Sequence, residues 1–336
     1  TAFIIMVHII LYSIVPILVI MLLGYYSGKT GAFTGANAKV LNKVVLNYAL
    51  PAALFLSIVK ANREMLAIDV KLTIISCVVL IGCFMLVYLV YRYMYKDTMQ
   101  ESAISALISG SPTIGFLGFA VLQPIFGDSA SVGLVIAIVA IEVNAIGIPL
   151  GLALFNTGQA HQQEKAAAGS GVAVKKPNPW APVIKALMEP VAWAPILAVI
   201  LVLCGLKWPE YLDPSFKLII GANSSIAVFA AGITLSSVKI RINGQAVMGS
   251  VLKLIVMPLL ILVAGIIFKM DPVNLKMLVV CAALPPAFSG IIIASQKDCY
   301  VATGTSSLAL STILFMGFCP LWIWITDECL RWFNLV

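Results

Sequence analysis

Long apolar runs are the feature that most constrains this chain. About ten stretches of roughly 20 residues carry few or no charges, and a helix of that length crosses the hydrocarbon core of a bilayer. The composition agrees, because 61% of the 336 residues are hydrophobic and only 10% are charged, against about 25% charged residues in soluble domains. The sequence therefore predicts an all-α integral membrane protein with ten transmembrane helices. The predicted spans are 3–26, 38–59, 71–94, 102–126, 131–155, 189–206, 213–237, 246–268, 273–296 and 301–326.

The sequence also argues against several other classes of protein. Its seven cysteines are scattered and its two histidines are far apart, so neither a metal site nor a disulfide framework is expected. No Walker motif and no nucleophile or metalloprotease motif occurs, which predicts that the chain is not an enzyme and needs no cofactor. We interpret the net charge of +7 as basic loops facing the cytoplasm and anionic membrane lipid, not as binding of nucleic acid.

Two of the predicted spans, the fourth and the ninth, are interrupted by proline. Pro112 and Pro285 have no N–H to donate and clash with the preceding turn, so a helix cannot run through either of them undisturbed. In lipid the freed backbone groups must be satisfied by protein or by a water-filled cavity. A matched pair of interrupted helices is typical of the binding site of a carrier. The alternative is that both prolines are simple kinks packed against Ser and Thr side chains.

The two halves of the chain resemble each other. Val15-Pro-Ile-Leu18 in span 1 matches Ala194-Pro-Ile-Leu197 in span 6, and Asn47 in span 2 matches Asn223 in span 7. Spans 4 and 9 share the proline break, and spans 5 and 10 share a Pro-Leu pair. Because each half has an odd number of spans, the halves must lie in opposite orientations. The sequence therefore predicts a 5+5 inverted repeat, the architecture of many secondary transporters.

The polar loops predict the domain boundaries and the orientation. We divide the chain into a first five-helix repeat over residues 1–155, a cytoplasmic linker over 156–188 and a second repeat over 189–336. The linker is rich in Gln, Ala, Gly and Lys, so we expect it to be flexible, with a short interfacial helix near Trp180. The loops on one side of the membrane carry twelve lysines and arginines and those on the other side carry eight. The positive-inside rule then places both termini outside the cytoplasm.

Three stretches resemble a known family. They are Leu46-Asn-Tyr-Ala-Leu-Pro-Ala-Ala-Leu-Phe55, Ser109-Gly-Ser-Pro-Thr-Ile-Gly-Phe-Leu-Gly118 and Ala283-Leu-Pro-Pro-Ala-Phe-Ser-Gly290. In these stretches the chain resembles the auxin efflux carrier family, especially its bacterial branch labelled as malonate, malate or oxalate carriers. The resemblance extends over all ten spans. It implies the fold shared by plant auxin exporters and sodium/bile-acid symporters, in which spans 4 and 9 cross as broken helices.

The same resemblance implies that the helices form two domains with different roles. Spans 3–5 and 8–10 would form a mobile transport domain, and spans 1, 2, 6 and 7 would form a scaffold that often makes a dimer contact. We therefore expect a homodimer in the bacterial inner membrane. The plant exporters carry an asparagine beside each broken-helix proline, where this chain has Ser111 and Leu284. That difference argues against an auxin-like substrate.

The broken helices supply the chemistry of an anion site. A break exposes the first N–H groups of the following helix, where the macrodipole places a partial positive charge. Such a terminus binds a carboxylate without any cationic side chain. Hydroxyl groups add donors, and glycines permit close approach of a ligand or of another backbone. The candidate substrate-binding residues at the breaks are Ser109, Ser111, Pro112, Thr113, Gly115, Pro285, Pro286, Ser289 and Gly290.

Four further polar residues within the predicted spans are candidates. Because a charge inside the membrane should face the protein interior or water, Lys253 is a candidate counter-charge to the substrate or a support for a crossing helix. Alternatively, it snorkels to the interface. Glu142 is a candidate carrier of a coupling proton, a partner for Lys253, or a structural hydrogen-bonding group. Asn47 and Asn223 either reach the substrate cavity or join neighbouring helices.

The leading hypothesis is a secondary active carrier for a small mono- or dicarboxylate such as malonate, oxalate or malate. It would work by alternating access, with an elevator-like movement of the crossing-helix domain. Uniport, H⁺ coupling and Na⁺ coupling remain open. The alternatives are a membrane sensor or receptor of an organic anion that does not transport, and an intramembrane enzyme. The chain shows no signalling domain for the first and no nucleophile–base pair for the second.

Overall fold

Helices make up the architecture of the described part of the chain. A computed structural model describes residues 15–60, 70–127, 129–167, 184, 188, 190–237 and 242–333. The α-helices named within these residues are α1 Val15–Lys29, α2 Gly35–Val44, α3 Leu50–Val59, α4 Val70–Leu89, α5 Met99–Ser109, α6 Ile114–Phe126, α7 Ala130–Ile141, α8 Ile148–Ala167, α9 Pro190–Leu203, α10 Asp213–Ile220, α11 Ala222–Ser236, α12 Gly244–Val251, α13 Met257–Ile267, α14 Pro272–Ala283, α15 Phe288–Lys297 and α16 Val301–Trp332.

Six continuous helical stretches are long and apolar enough to cross a membrane. Within the described residues they are Gly35–Leu56, Val70–Met94, Ser131–Gln163, Glu210–Ser236, Gly244–Ile267 and Val301–Trp332. They correspond to the predicted spans 2, 3, 5, 7, 8 and 10. The other four predicted spans are shorter here for identifiable reasons. Spans 4 and 9 are each split into two helices, and the predicted spans 1 and 6 begin in or next to residues outside the described part.

Several of the long helices contain a wide turn immediately before a proline. Residues Val45–Ala49, Glu142–Gly147 and Leu252–Val256 form π-helical turns, and Pro51, Pro149 and Pro258 follow them. In each case the residue preceding the proline donates its N–H five residues back, to the carbonyl of Val45, Val143 or Leu252. Because proline lacks an N–H and crowds the carbonyl four residues earlier, the wide turn relieves the clash without ending the helix.

Two pairs of helices from opposite halves of the chain pack closely. Helix α1 lies against α11, and α3 lies against α9. The α1–α11 contact depends on glycine, because a Cβ added to Gly24 would lie 2.1 Å from the carbonyl oxygen of Phe229. A Cβ added to Gly232 would lie 2.0 Å from the carbonyl oxygen of Met21. Small residues at such a crossing let two backbones approach and gain van der Waals contact in a membrane.

The end of the first half differs from its predicted boundary. Helix α8 runs on to Ala167, twelve residues into the segment predicted as a flexible linker from residue 156. The extension packs against the start of α5, where Gln100 Nε2 donates to Gln162 Oε1 at 2.8 Å. The Gln- and Ala-rich composition of this part continues a helix as readily as it forms a linker. The interfacial helix predicted near Trp180 lies outside the described residues.

Candidate functional site

The two predicted breaks are present and lie against each other. Helix α5 ends at Ser109 and α6 begins at Ile114, while α14 ends at Ala283 and α15 begins at Phe288. The prediction that spans 4 and 9 are broken helices is therefore confirmed. The two breaks form an isolated antiparallel β-bridge between Pro112 and Pro286. The alignment of the two halves of the sequence paired Pro112 with Pro285, which is one residue before the Pro286 that pairs with Pro112 in the structure.

Backbone hydrogen bonds join the two breaks. Thr113 N–H donates to the carbonyl of Pro285 at 3.0 Å, and Ala287 N–H donates to the carbonyl of Ile108 at 3.1 Å. These bonds satisfy groups that proline and the helix ends leave unpaired, which is the requirement for irregular backbone inside a membrane protein. The two breaks therefore form one hydrogen-bonded structural element. The alternative of two separate kinks packed against Ser and Thr does not fit this geometry.

Gly290 is required where the broken helices approach. A Cβ added to Gly290 would lie 2.6 Å from the carbonyl oxygen of Leu107 and 2.8 Å from the N atom of Ile108. Both contacts are to backbone, which cannot rotate away as a side chain can. The first turn of α15 thus lies directly on the last turn of α5, and only glycine permits that separation.

The hydroxyl groups around the breaks have different surroundings. Ser109 Oγ lies 3.4 Å from Ser307 Oγ on α16, within hydrogen-bonding reach. Ser111 lines a small cavity beside the first break. Thr113 is 2% exposed, and its hydroxyl has no hydrogen-bond partner among the described residues. Ser289, beside the second break, is partly exposed. Thr113 therefore offers the free buried donor of this group.

Glu142 lies beside the first break, as part of the cavity wall. The cavity is bounded by α4, the first break and the π-helical turn after α7, and its lining includes Phe84, Ser111, Pro112, Glu142 and Gly147. Its volume of about 10 Å³ is room for roughly one water molecule. Glu142 is 5% exposed, and its Oε1 accepts a hydrogen bond of 2.5 Å from Ser76 Oγ. Its Oε2 has no partner within the described residues.

Lys253 is fully buried and holds the second broken helix. Its Nζ donates to the carbonyl of Ala282 and lies 3.3 Å from Met257 Sδ. Ala282 is in the last turn of α14, where carbonyl groups lack helical partners and the helix dipole is negative. Snorkelling does not fit a side chain with 0% exposure. The pairing with Glu142 that the sequence left open is not formed, because neither Glu142 nor Lys253 makes an ion pair among the described residues.

Three of the candidate polar residues share one local structure. Asn47, Glu142 and Lys253 each lie in a π-helical turn that precedes a proline. A wide turn leaves backbone groups displaced from the regular helix, and such turns are frequent at functional sites. Asn47 is partly buried, one turn before Leu50. Asn223 belongs to α11, but its side chain lies outside what the structure describes.

Sequence reasoning missed the partners of the candidate residues. Ser76 was overlooked although it is a hydroxyl in the apolar span that packs against Glu142, and Ala282 acts through its backbone, which no side-chain pattern indicates. Leu50 was also overlooked. A Cβ added to Gly115 would lie 2.7 Å from Leu50 Cδ2, so this leucine covers the first turn of α6.

The long apolar helices and the paired breaks define the class of this protein as a polytopic membrane protein. A family model described as "Membrane transport protein" matches residues 9–323. The chain belongs to that family, so the predicted membership of the auxin efflux carrier family is confirmed, and the protein is a membrane transporter.

Related proteins agree with this assignment. The chain is 50% identical over 314 residues to the "Uncharacterized transporter YfdV" of Escherichia coli K12, covering 94% of this chain and 96% of that protein. It is 27% identical over 314 residues to an "Uncharacterized transporter" of Methanothermobacter thermautotrophicus, covering 92% and 96%. It is 21% identical over 305 residues to the "Putative malonate transporter" of Rhizobium meliloti, covering 90% and 91%. These relatives are named transporters, which agrees with the prediction that the chain is not an enzyme.

Proposed function

We propose that the protein is a secondary active carrier for a small organic carboxylate of the malonate, oxalate or malate type. The observation that carries the proposal is the contact between two broken helices in the interior of an apolar protein. A carrier needs a polar binding point within the membrane, and paired helix breaks provide one. The name of the Rhizobium meliloti relative adds support for a dicarboxylate.

The first turn of α6 is the binding point that we favour. It follows Thr113, whose hydroxyl is buried and has no hydrogen-bond partner within the described part of the chain, and it presents the first N–H groups of a thirteen-residue helix. Such N–H groups and the positive end of the helix dipole stabilise a carboxylate together. Lys253, through Ala282, would act as a positioning residue for the second broken helix instead of touching the substrate.

Transport requires a second conformation. The cavity beside the first break holds roughly one water molecule, which is too small for a dicarboxylate. We infer alternating access in which α4 to α8 and α12 to α16 slide against α1 to α3 and α9 to α11. The close glycine contact between α1 and α11 supports a rigid scaffold on the stationary side. A dimer through this scaffold would keep it stationary.

The packing also supports the inverted repeat that we propose for the ten spans. The repeat relates span 1 to span 6 and span 2 to span 7. If the two repeats are related by a two-fold axis, a contact between spans 1 and 7 must be accompanied by an equivalent contact between spans 6 and 2. Both contacts occur, as α1 with α11 and α3 with α9. We place the protein in the inner membrane, with the side richer in lysine and arginine in the cytoplasm and both termini outside.

Glu142 is our candidate for the coupling site. A buried carboxylate with a partner on one oxygen and none on the other is costly when ionised. A proton on Oε2 would remove that cost, so we favour H⁺ coupling over Na⁺ coupling. Because Glu142 lines the same cavity as Ser111 and Pro112, its protonation state would affect the break directly.

Uptake into proteoliposomes tests the proposed function. Purified protein is reconstituted, and accumulation of labelled malonate, oxalate and malate is measured under an imposed pH gradient, a Na⁺ gradient, or neither. We expect saturable uptake that the pH gradient increases, with protein-free liposomes as the control. Binding of a carboxylate without any flux would instead indicate a sensor. Absence of both binding and flux would overturn the carboxylate assignment.

A further inference from the structure

One apolar side chain covers the proposed binding point. Leu50 is the first residue of α3 and is 0% exposed. A Cβ added to Gly115 would meet its Cδ2 at 2.7 Å, its Cγ at 3.9 Å and its Cδ1 at 4.0 Å. Outside the helix that contains Gly115, the three nearest atoms that a side chain at this position would meet therefore all belong to Leu50. Leu50 reaches this turn from a helix outside the two broken helices.

The turn that Leu50 contacts carries hydrogen-bond donors. The Thr113 hydroxyl is buried without a partner, and within the described residues no acceptor is found for the N–H groups of Ile114 and Gly115. Two residues after Gly115, Leu117 N–H already donates to the carbonyl of Thr113. Hydrocarbon over unpaired donors is unfavourable. An anionic group bound at these donors would need the space in which the Leu50 methyl group lies.

The helix around Leu50 departs from regular helical geometry. Leu50 follows the π-helical turn Val45–Ala49 and precedes Pro51, so the backbone on both sides departs from regular helix bonding. Its helix packs against α9, on the scaffold side of the proposed movement. Sliding of the broken helices along this scaffold would therefore carry Gly115 away from Leu50.

We propose that Leu50 is the specificity-determining residue of the substrate site, and that its side chain sets the length of the carboxylate accepted at the first turn of α6. This inference rests on the proposed function and deepens it. A leucine at this position leaves room for a short acid once the site opens and excludes a longer one. Truncation of Leu50 to alanine removes Cγ and both Cδ methyl groups and would lengthen the site by the space that they occupy.

Selectivity across a series of linear dicarboxylates tests the inference. Proteoliposome uptake of oxalate, malonate, succinate and glutarate is measured for the wild type, Leu50→Ala and Ile58→Ala. Ile58 is also buried, about 12 Å further along α3, so Ile58→Ala controls for a general loss of packing. We expect the ratio of glutarate to malonate uptake to rise at least about tenfold in Leu50→Ala, since a methylene in an apolar pocket is worth roughly that factor. Ile58→Ala should keep the wild-type ratio.

A pair of variants at the contact gives a second test. Gly115→Ala should reduce uptake of every acid, because its methyl group overlaps Leu50 Cδ2. Combining it with Leu50→Ala should restore uptake, because the overlapping methyl group is then absent. If the wild type transports short acids and Leu50→Ala has the same length profile, the inference is wrong and the proposed function stands. If the wild type neither binds nor transports any of the four acids, the proposed function fails and the inference with it.

Discussion

At the scale of single residues, the proposed role of Glu142 in proton coupling can be tested directly. Its Oε1 is held by Ser76 and its Oε2 has no partner among the described residues. If that oxygen carries the coupling proton, Glu142→Gln should keep carboxylate binding, because the amide mimics the protonated acid. The same variant should lose the accumulation driven by a pH gradient.

The measurement is uptake with and without an imposed gradient, alongside exchange of internal for external substrate at equal pH. Ser76→Ala is the matched control, since it removes the partner and keeps the carboxyl group. It should lower stability by about 1–3 kcal/mol, the cost of a buried polar group left unsatisfied, without ending the response to pH. Unchanged gradient-driven accumulation in Glu142→Gln would remove this residue from the coupling mechanism.

Lys253 is a charged residue whose hydrogen bond goes to a backbone carbonyl group and not to another charged side chain. It donates to the carbonyl of Ala282 in the last turn before the second break. We expect Lys253→Met, which is similar in length, to insert and fold, because it replaces a buried charge, which has no ion-pair partner among the described residues, by an apolar side chain. The apparent KM for the carboxylate should rise about tenfold, equivalent to about 1.4 kcal/mol, as the second broken helix loses its anchor.

Separate values of KM and maximal rate, together with the melting temperature, check this expectation. A positioning role predicts a change of KM with little change of melting temperature. A lower melting temperature with an unchanged KM would show that Lys253 contributes only to folding.

At the scale of elements, the crossing of the broken helices depends on Gly290. Its missing side chain permits contact with the backbone of Leu107 and Ile108. Gly290→Ala should destabilise the protein by about 1–3 kcal/mol, the usual cost of overpacking, and should abolish transport. The measurements are a thermal melt and the proteoliposome assay. Normal transport in Gly290→Ala would mean that the two helices separate without loss of function.

The contact between α1 and α11 makes an independent prediction about the scaffold. Gly24→Ala and Gly232→Ala each place a methyl group within about 2 Å of a backbone oxygen, so both should lower the melting temperature. Gly82→Ala in α4 is the control, since nothing lies within 4 Å of its added Cβ. Alanine is favoured over glycine in a helix by roughly 1 kcal/mol, so the control should be neutral or stabilised. Equal melting temperatures in all three variants would contradict the close packing.

At the scale of the whole molecule, the sequence was sufficient for the class of structure. Apolar runs predicted a helical membrane protein, and the matched prolines predicted two broken helices in it. The breaks at Pro112 and Pro285 were found because proline has a local and unavoidable effect on a helix. The family followed from the three stretches that include these breaks, and the family model confirms it.

The contacts that specify the site were decided by tertiary structure. Apolar spans have nearly uniform composition, so periodicity cannot tell which face meets which neighbour. The Ser76–Glu142 bond joins residues 66 positions apart, and the Lys253–Ala282 bond uses a carbonyl that every residue possesses. The sequence also did not predict that α8 continues to Ala167. This part of the helix is polar and is stabilised by packing against α5, so its composition resembles that of a linker. The sequence indicated where the two helices break, because proline stands there among glycine and hydroxyl residues. Only the packing of distant helices decided which side chains meet there, and placed Leu50 on Gly115.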